Sequence, residues 1–170
     1  MFSSQEIHAL LVRSLDLARE AFDRGDYPIG AIIVDAKTKE SLETSNKCAS
    51  GTDITAHAEM ELLRQLGERA DKHFSAEHYI FSSLEPCFGC SFFIARSNIT
   101  HIYSALKDPH KGGMSDLCLL TQFESFFSHL TIVNEPATEL ADQSRALMRE
   151  YFLQNGNEKA AAFYQDYLST

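Results

Sequence analysis

A chain of 170 residues, 44% apolar and 23% charged, can bury a substantial single core, and no shift in composition marks a second independent domain. Its formal net charge of -9 argues against a partner held mainly by phosphate neutralisation, since such proteins display clustered Lys and Arg. The N-terminus has no basic stretch leading into a continuous apolar one, and no run approaches the ~18 apolar residues of a membrane span, so a cytoplasmic protein without membrane contact is expected.

Ser3 followed by Glu6 forms a capping-box pattern, and Ile7, Leu10, Leu11, Leu15, Ala18, Ala21 and Phe22 recur at helical spacing up to Gly25. Ile29 to Val34 then reads as a β-branched strand, with a polar turn at Ala36 to Lys39 and a second strand completing a hairpin. After the loop "CASGTDIT", Thr55 is the expected N-cap of a helix "AHAEMELLRQLGER". "HYIFSSL" follows as a strand, "CFGCSFFIARS" as a helix and "NITHIYSAL" as a strand. Beyond the loop "KDPHKGGMS", one helix is expected over "DLCLLTQFESFFSHL", then a strand "LTIVNE" and a helix from Thr138 to Gln154. Phe92, Phe93, Phe126 and Phe127 read as core residues. Gly156 divides a body, residues 1–155, from a C-terminal helical tail, residues 156–170, whose Phe163, Tyr164 and Tyr167 suit a lid or a dimer contact. Helices alternating with strands after a hairpin predict an α/β fold, a central mixed sheet of about five strands covered by helices on both faces.

Cys87 and Cys90 lie three positions apart at the start of a predicted helix. By itself this spacing suits zinc, thiol-disulfide exchange or ordinary packing. The stretch "TAHAEME", about thirty residues earlier, changes the balance, because His57, Cys87 and Cys90 make a three-ligand set that leaves a fourth zinc position to water. Helix N-termini favour thiolates, and Pro86 suits a position just before such a helix. Glu59, two residues beyond His57, is then the candidate proton carrier beside that water. Cys48 and Cys118 read as a loop thiol and a core residue.

His-Ala-Glu at 57–59 together with "PCFGC" at 86–90 resembles the signature of the zinc-dependent cytidine deaminase superfamily. "PIGAIIV", "SNK", "SLEPC" and "KGGMSDL" extend the resemblance toward the branch that holds tRNA adenosine deaminases, guanine deaminases and fungal-type cytosine deaminases. It implies a three-layer α/β/α cytidine-deaminase-like fold, one Zn2+ per chain, and hydrolytic deamination in which Glu59 shuttles protons. It further implies that Asn46 hydrogen-bonds the base, that Ile29 packs on its ring opposite His57, and that the Ala58 backbone N–H holds the oxygen replacing the amine. Asp108 and His110 fall in a loop that lies near the substrate in the resembling proteins, and a homodimer is expected by the same resemblance. Phe88, between the thiols, is a candidate pocket wall or a core residue, and Glu85 is expected to organise the cysteine loop.

The substrate divides the expectations. The loop "KDPHKGGMSDL" resembles that of tRNA adenosine deaminases, whereas the tail lacks their Lys- and Arg-rich character. A free nucleobase or nucleoside is favoured, with a purine of guanine or adenine type ahead of cytosine. The alternatives are a tRNA-specific adenosine deaminase forming inosine, a cytosine deaminase, and a catalytically silent deaminase fold used for binding.

Overall fold

The computed structural model describes residues 1–68 and 77–165. Helix α1 (Ser4–Asp23) opens with the expected capping box: Glu6 N–H donates to the Ser3 hydroxyl at 3.3 Å, and Ser3 N–H to the Glu6 carboxylate at 2.7 Å. Strands β1 (Gly30–Asp35) and β2 (Ser41–Ser45) form the hairpin. Helix α2 (Ala58–Glu68), strand β3 (His78–Ser82), helix α3 (Phe88–Ala95) and strand β4 (Ile99–Ser104) follow. Short helices α4 (Met114–Leu117) and α5 (Glu124–Phe127) precede strand β5 (Thr131–Asn134), then come α6 (Thr138–Gln154) and α7 (Glu158–Ala162).

The five strands make one sheet in the order β2-β1-β3-β4-β5. β1 pairs antiparallel with both β2 and β3, whereas β3, β4 and β5 run parallel, so the sheet is mixed as expected. Side chains alternate across it. Ala31, Ile33 and Ile80 face a core with Leu62 of α2 and Ile94 of α3, while Ile32, Val34 and Phe81 face Leu11 and Leu15 of α1. Helices thus cover both faces, which is the predicted three-layer arrangement, and each buried leucine contributes about 2 kcal/mol. α1 lies so close to the sheet that a Cβ at Gly30 would be 2.3 Å from the Ser14 carbonyl oxygen. A third cluster, containing Leu84, Leu106, Met148, Phe152 and Tyr164, packs α6 and α7 at the end of the sheet where β3 and β4 finish. Among the described residues no helix is long and apolar enough to cross a membrane.

Three expectations are corrected. The single helix over "DLCLLTQFESFFSHL" is instead α4, a 3-10 turn at Thr121–Phe123 and α5, because Leu120 adopts an extended conformation (φ -84, ψ 117). Apolar residues there satisfy helical periodicity in several registers, which hides the break. Thr55 is not the cap of α2: its N–H and hydroxyl both donate to Asp53 at 2.8 Å in a turn, and His57 supplies the first helical acceptor, to Glu61 N–H at 2.9 Å. Of the four core phenylalanines, Phe127 is buried but Phe93 is 51% exposed. Arg69, the expected last residue of α2, and Tyr167 lie outside the described residues.

Candidate metal centre and substrate cavity

Two helix starts converge on one point. α2 begins immediately after His57, and α3 begins immediately after Cys87, its N-cap, so both N-termini are directed at the same space. The His57, Cys87 and Cys90 donor atoms all lie within 4.8 Å of one another. His57 Nδ1 is 3.6 Å from Cys87 Sγ and 3.5 Å from Cys90 Sγ. Tetrahedral zinc with bonds of about 2.3 Å to sulfur and about 2.0–2.1 Å to nitrogen separates its N and S donors by about 3.6 Å, so these residues fit the ion in both spacing and chemistry.

The electrostatics fit as well. The hydrogen bond from Cys90, aided by His57, holds the Cys87 thiol down at about 4 against the opposing effect of burial. Cys90 is raised, first because it donates that bond and then because it is buried. His57 is raised, chiefly by its contact with Cys87. A dication between the sulfurs would ionise both. Glu59 is 3% exposed and accepts from the Cys90 thiol at 3.6 Å. Burial, reinforced by the Cys87 charge, pushes its carboxyl up to about 7 despite a bond from its own backbone and the nearby imidazole. A group poised there can both take and give a proton at neutral pH.

A cavity of about 290 Å³ opens beside these residues. His57, Glu59 and Cys87 line one side; Ile29, Asn46, Asp108 and His110 also contribute to its wall. Asn46 is buried, and its side-chain oxygen accepts Cys48 N–H at 2.9 Å. Asp108 is buried; one of its oxygens accepts both Tyr164 O–H at 2.7 Å and His110 N–H at 2.9 Å. His110 stacks on Phe163 with centroids 4.4 Å apart. Ala58 is fully buried at the first position of α2, where its N–H has no acceptor within the helix. Phe88 departs from both expectations: it is 49% exposed and stands outside the residues lining the cavity.

Glu85 ties the loop carrying Asp108 to the dithiol turn. Its carboxylate, 2% exposed, accepts Asp108 N–H at 3.1 Å and Ser115 N–H at 2.7 Å. Cys87 and Gly112 form an antiparallel bridge, and Gly113 N–H donates to the Pro86 carbonyl at 3.0 Å. A Cβ at Gly113 would lie 2.3 Å from Phe88 N, so no side chain fits there. Sequence reasoning missed Tyr27, Cys48, Lys111, Met148 and Phe152 as lining residues: Met148 and Phe152 reach the cavity by long-range packing, while Tyr27, Cys48 and Lys111 are close in sequence to Ile29, Asn46 and His110 but carry no distinguishing motif.

Residues 4–106 match the family model for the cytidine and deoxycytidylate deaminase zinc-binding region. The tRNA-specific adenosine deaminase of Aquifex aeolicus is 35% identical over 107 residues, 62% of this chain and 70% of that one. The protein of that name from Agrobacterium fabrum is 30% identical over 138 residues, 79% and 86% of the two chains. Among solved structures, a tRNA wobble-position deaminase superposes with TM-score 0.68 at 23% identity, covering 82% of this chain and 99% of the other. A guanine deaminase from Nitrosomonas europaea gives TM-score 0.68 at 18% identity, covering 84% and 82%. At these identities the structural likeness concerns the fold.

Proposed function

As the chain belongs to the cytidine and deoxycytidylate deaminase zinc-binding family, we propose that it hydrolytically removes an exocyclic amine from a free purine base or its nucleoside, releasing ammonia. The observation that carries this reading is the size of the cavity. Tyr164 and Phe152 contribute to its lining, and its volume of about 290 Å³ is at the small end of the roughly 300–1,000 Å³ typical of ligand pockets. A base fits such a space, whereas a nucleotide inside a strand must also lead its two flanking phosphates out.

Bound at His57, Cys87 and Cys90, zinc would leave a coordination position for water and lower the pKa of that water toward ~7. Glu59 takes one proton from the attacking water and delivers it to a ring nitrogen, then takes the second from the newly added hydroxyl and passes it to the amine, which leaves as ammonia while that oxygen becomes a carbonyl; its raised pKa suits both directions of transfer. The Ala58 N–H, directed from the end of α2, stabilises negative charge on the new oxygen. Ile29 packs on the ring. The Asn46 oxygen is taken by Cys48 N–H, so its amide nitrogen is the group offered to the base, a donor only. With one Asp108 oxygen engaged by Tyr164 and His110, the second is an acceptor for N–H groups on the base, which favours a guanine-type edge over an adenine-type one. Tyr164, from the described part of the tail, acts here as a lid residue through its bond to Asp108.

A second reading, deamination of adenosine in tRNA, is favoured by the names and identities of the Aquifex and Agrobacterium relatives. Zinc content and ammonia release from guanine, guanosine, adenosine, cytosine and tRNA separate the two, with Glu59→Ala as control. Ammonia from guanine or guanosine, little affected by salt, is expected. Ammonia from tRNA alone, falling steeply with added salt, would establish the second reading instead. Zinc without ammonia from any of these would point to a silent binding fold.

A further inference from the structure

The proposed chemistry does not use the charged cluster behind Asn46. Asp26 is fully buried, yet its carboxylate receives four hydrogen bonds. One oxygen accepts Ala49 N–H at 2.8 Å and Ser50 N–H at 2.9 Å; the other accepts the Ser50 hydroxyl at 2.7 Å and Arg24 Nε at 3.3 Å. Arg24 in turn donates from Nη2 to the Ser45 hydroxyl at 2.9 Å and to the Asn46 carbonyl at 2.8 Å. The pair therefore grips the chain on both sides of the Asn46 side chain. Asn46 N–H donates to the Ile29 carbonyl at 2.8 Å, which ties the same residue to the start of β1.

Removing the Asp26 charge from water is costly, and Arg24, whose side chain is 39% exposed, offsets only part of that cost. A buried carboxylate also caps the turn at the other end of β1. There Asp35 accepts Lys37 N–H at 2.8 Å and Thr38 N–H at 2.7 Å, far from the cavity. What distinguishes the Asp26 cluster is its target: the segment from Ser45 to Ser50, which carries the lining residues Asn46 and Cys48.

We infer that Asp26, acting with Arg24, is a positioning residue that keeps the Asn46 carboxamide oxygen on Cys48 N–H and its nitrogen directed to the ligand, selecting bases with a hydrogen-bond acceptor at that point. This rests on the reading of Asn46 as a base ligand. Asp26→Asn keeps the shape and removes the charge; Asp35→Asn is the matched control, and Asn46→Ala reports the ligand itself. With whichever of guanine, guanosine, adenosine or tRNA the wild type deaminates, Asp26→Asn is expected to raise KM about tenfold with kcat little changed. Asp35→Asn should lower Tm and leave KM alone. In the Asn46→Ala background the effect of Asp26→Asn on KM should vanish, because its route is gone. Should Asp26→Asn fold poorly, Ser50→Ala removes one bond to the same carboxylate and should raise KM by a smaller factor. If Asn46→Ala raises KM while Asp26→Asn and Ser50→Ala change only Tm, the inference is overturned and the reading of Asn46 stands. An unchanged KM in Asn46→Ala overturns both.

Discussion

Glu59→Gln is expected to make the metal-free, reduced protein more stable above pH 4.5 while slowing ammonia release by the zinc-loaded one. The unfolded carboxyl ionises near 4.5 and the native one near 7, because burial penalises the charge. Between those values the native state holds a proton that the unfolded state has lost, so stability declines as pH rises, by about 1.4 kcal/mol per pH unit. Over the whole window the loss is about 3 kcal/mol. Glutamine cannot ionise, and its oxygen can still accept from the Cys90 thiol, so the variant should escape this decline. Urea unfolding at pH 4.5 and pH 8 measures it: the two proteins should nearly coincide at the lower pH, and the variant should be the more stable by about 3 kcal/mol at the higher. Ammonia release should fall by roughly 10²–10⁴. A variant less stable than wild type by the same amount at both pH values would show that Glu59 is held as a structural carboxylate and would refute the reasoning.

Cys87→Ser should reduce bound zinc well below one per chain in elemental analysis, since one of three donors is replaced by a poorer ligand. Tyr164→Phe removes the donor 2.7 Å from a buried carboxylate, a loss of about 2 kcal/mol that should appear as a raised KM for a free base and faster proteolysis of the tail, with zinc content unchanged. Gly30→Ala should destabilise by at least 1–3 kcal/mol in chemical denaturation, because the Ser14 carbonyl blocks the new methyl and backbone must move.

The parts legible in the sequence are those whose causes are local. The capping box at Ser3 and Glu6, the β-branched run into β1, and the spacing of His57, Glu59, Cys87 and Cys90 each need only a few neighbouring residues to be recognised. Distance in the chain hides the rest. Asp26 meets Ser50 across 24 positions and nothing in its type marks it; Tyr164 reads as a tail aromatic suited to a lid, but its bond to Asp108, 56 positions away, leaves no mark in the sequence. Phe88 shows a second cause, since an aromatic residue between two thiols carries no mark of which way its helix face turns. In the stretch after Cys118, the trouble was excess: with apolar residues at many positions, periodicity fits a helix that Leu120 does not continue.

The lacing of the Asp108 loop to the dithiol turn through Glu85, Gly112 and Gly113 bears on how this protein could be altered. Loop grafting is a common route to a new substrate, and residues 107–113 would be the natural insert. Here a foreign insert that lacked the two glycines, or a host that lacked the glutamate, would displace the backbone next to Cys87. Specificity and metal retention would then change together, so the exchangeable module is the loop plus residues 85–88.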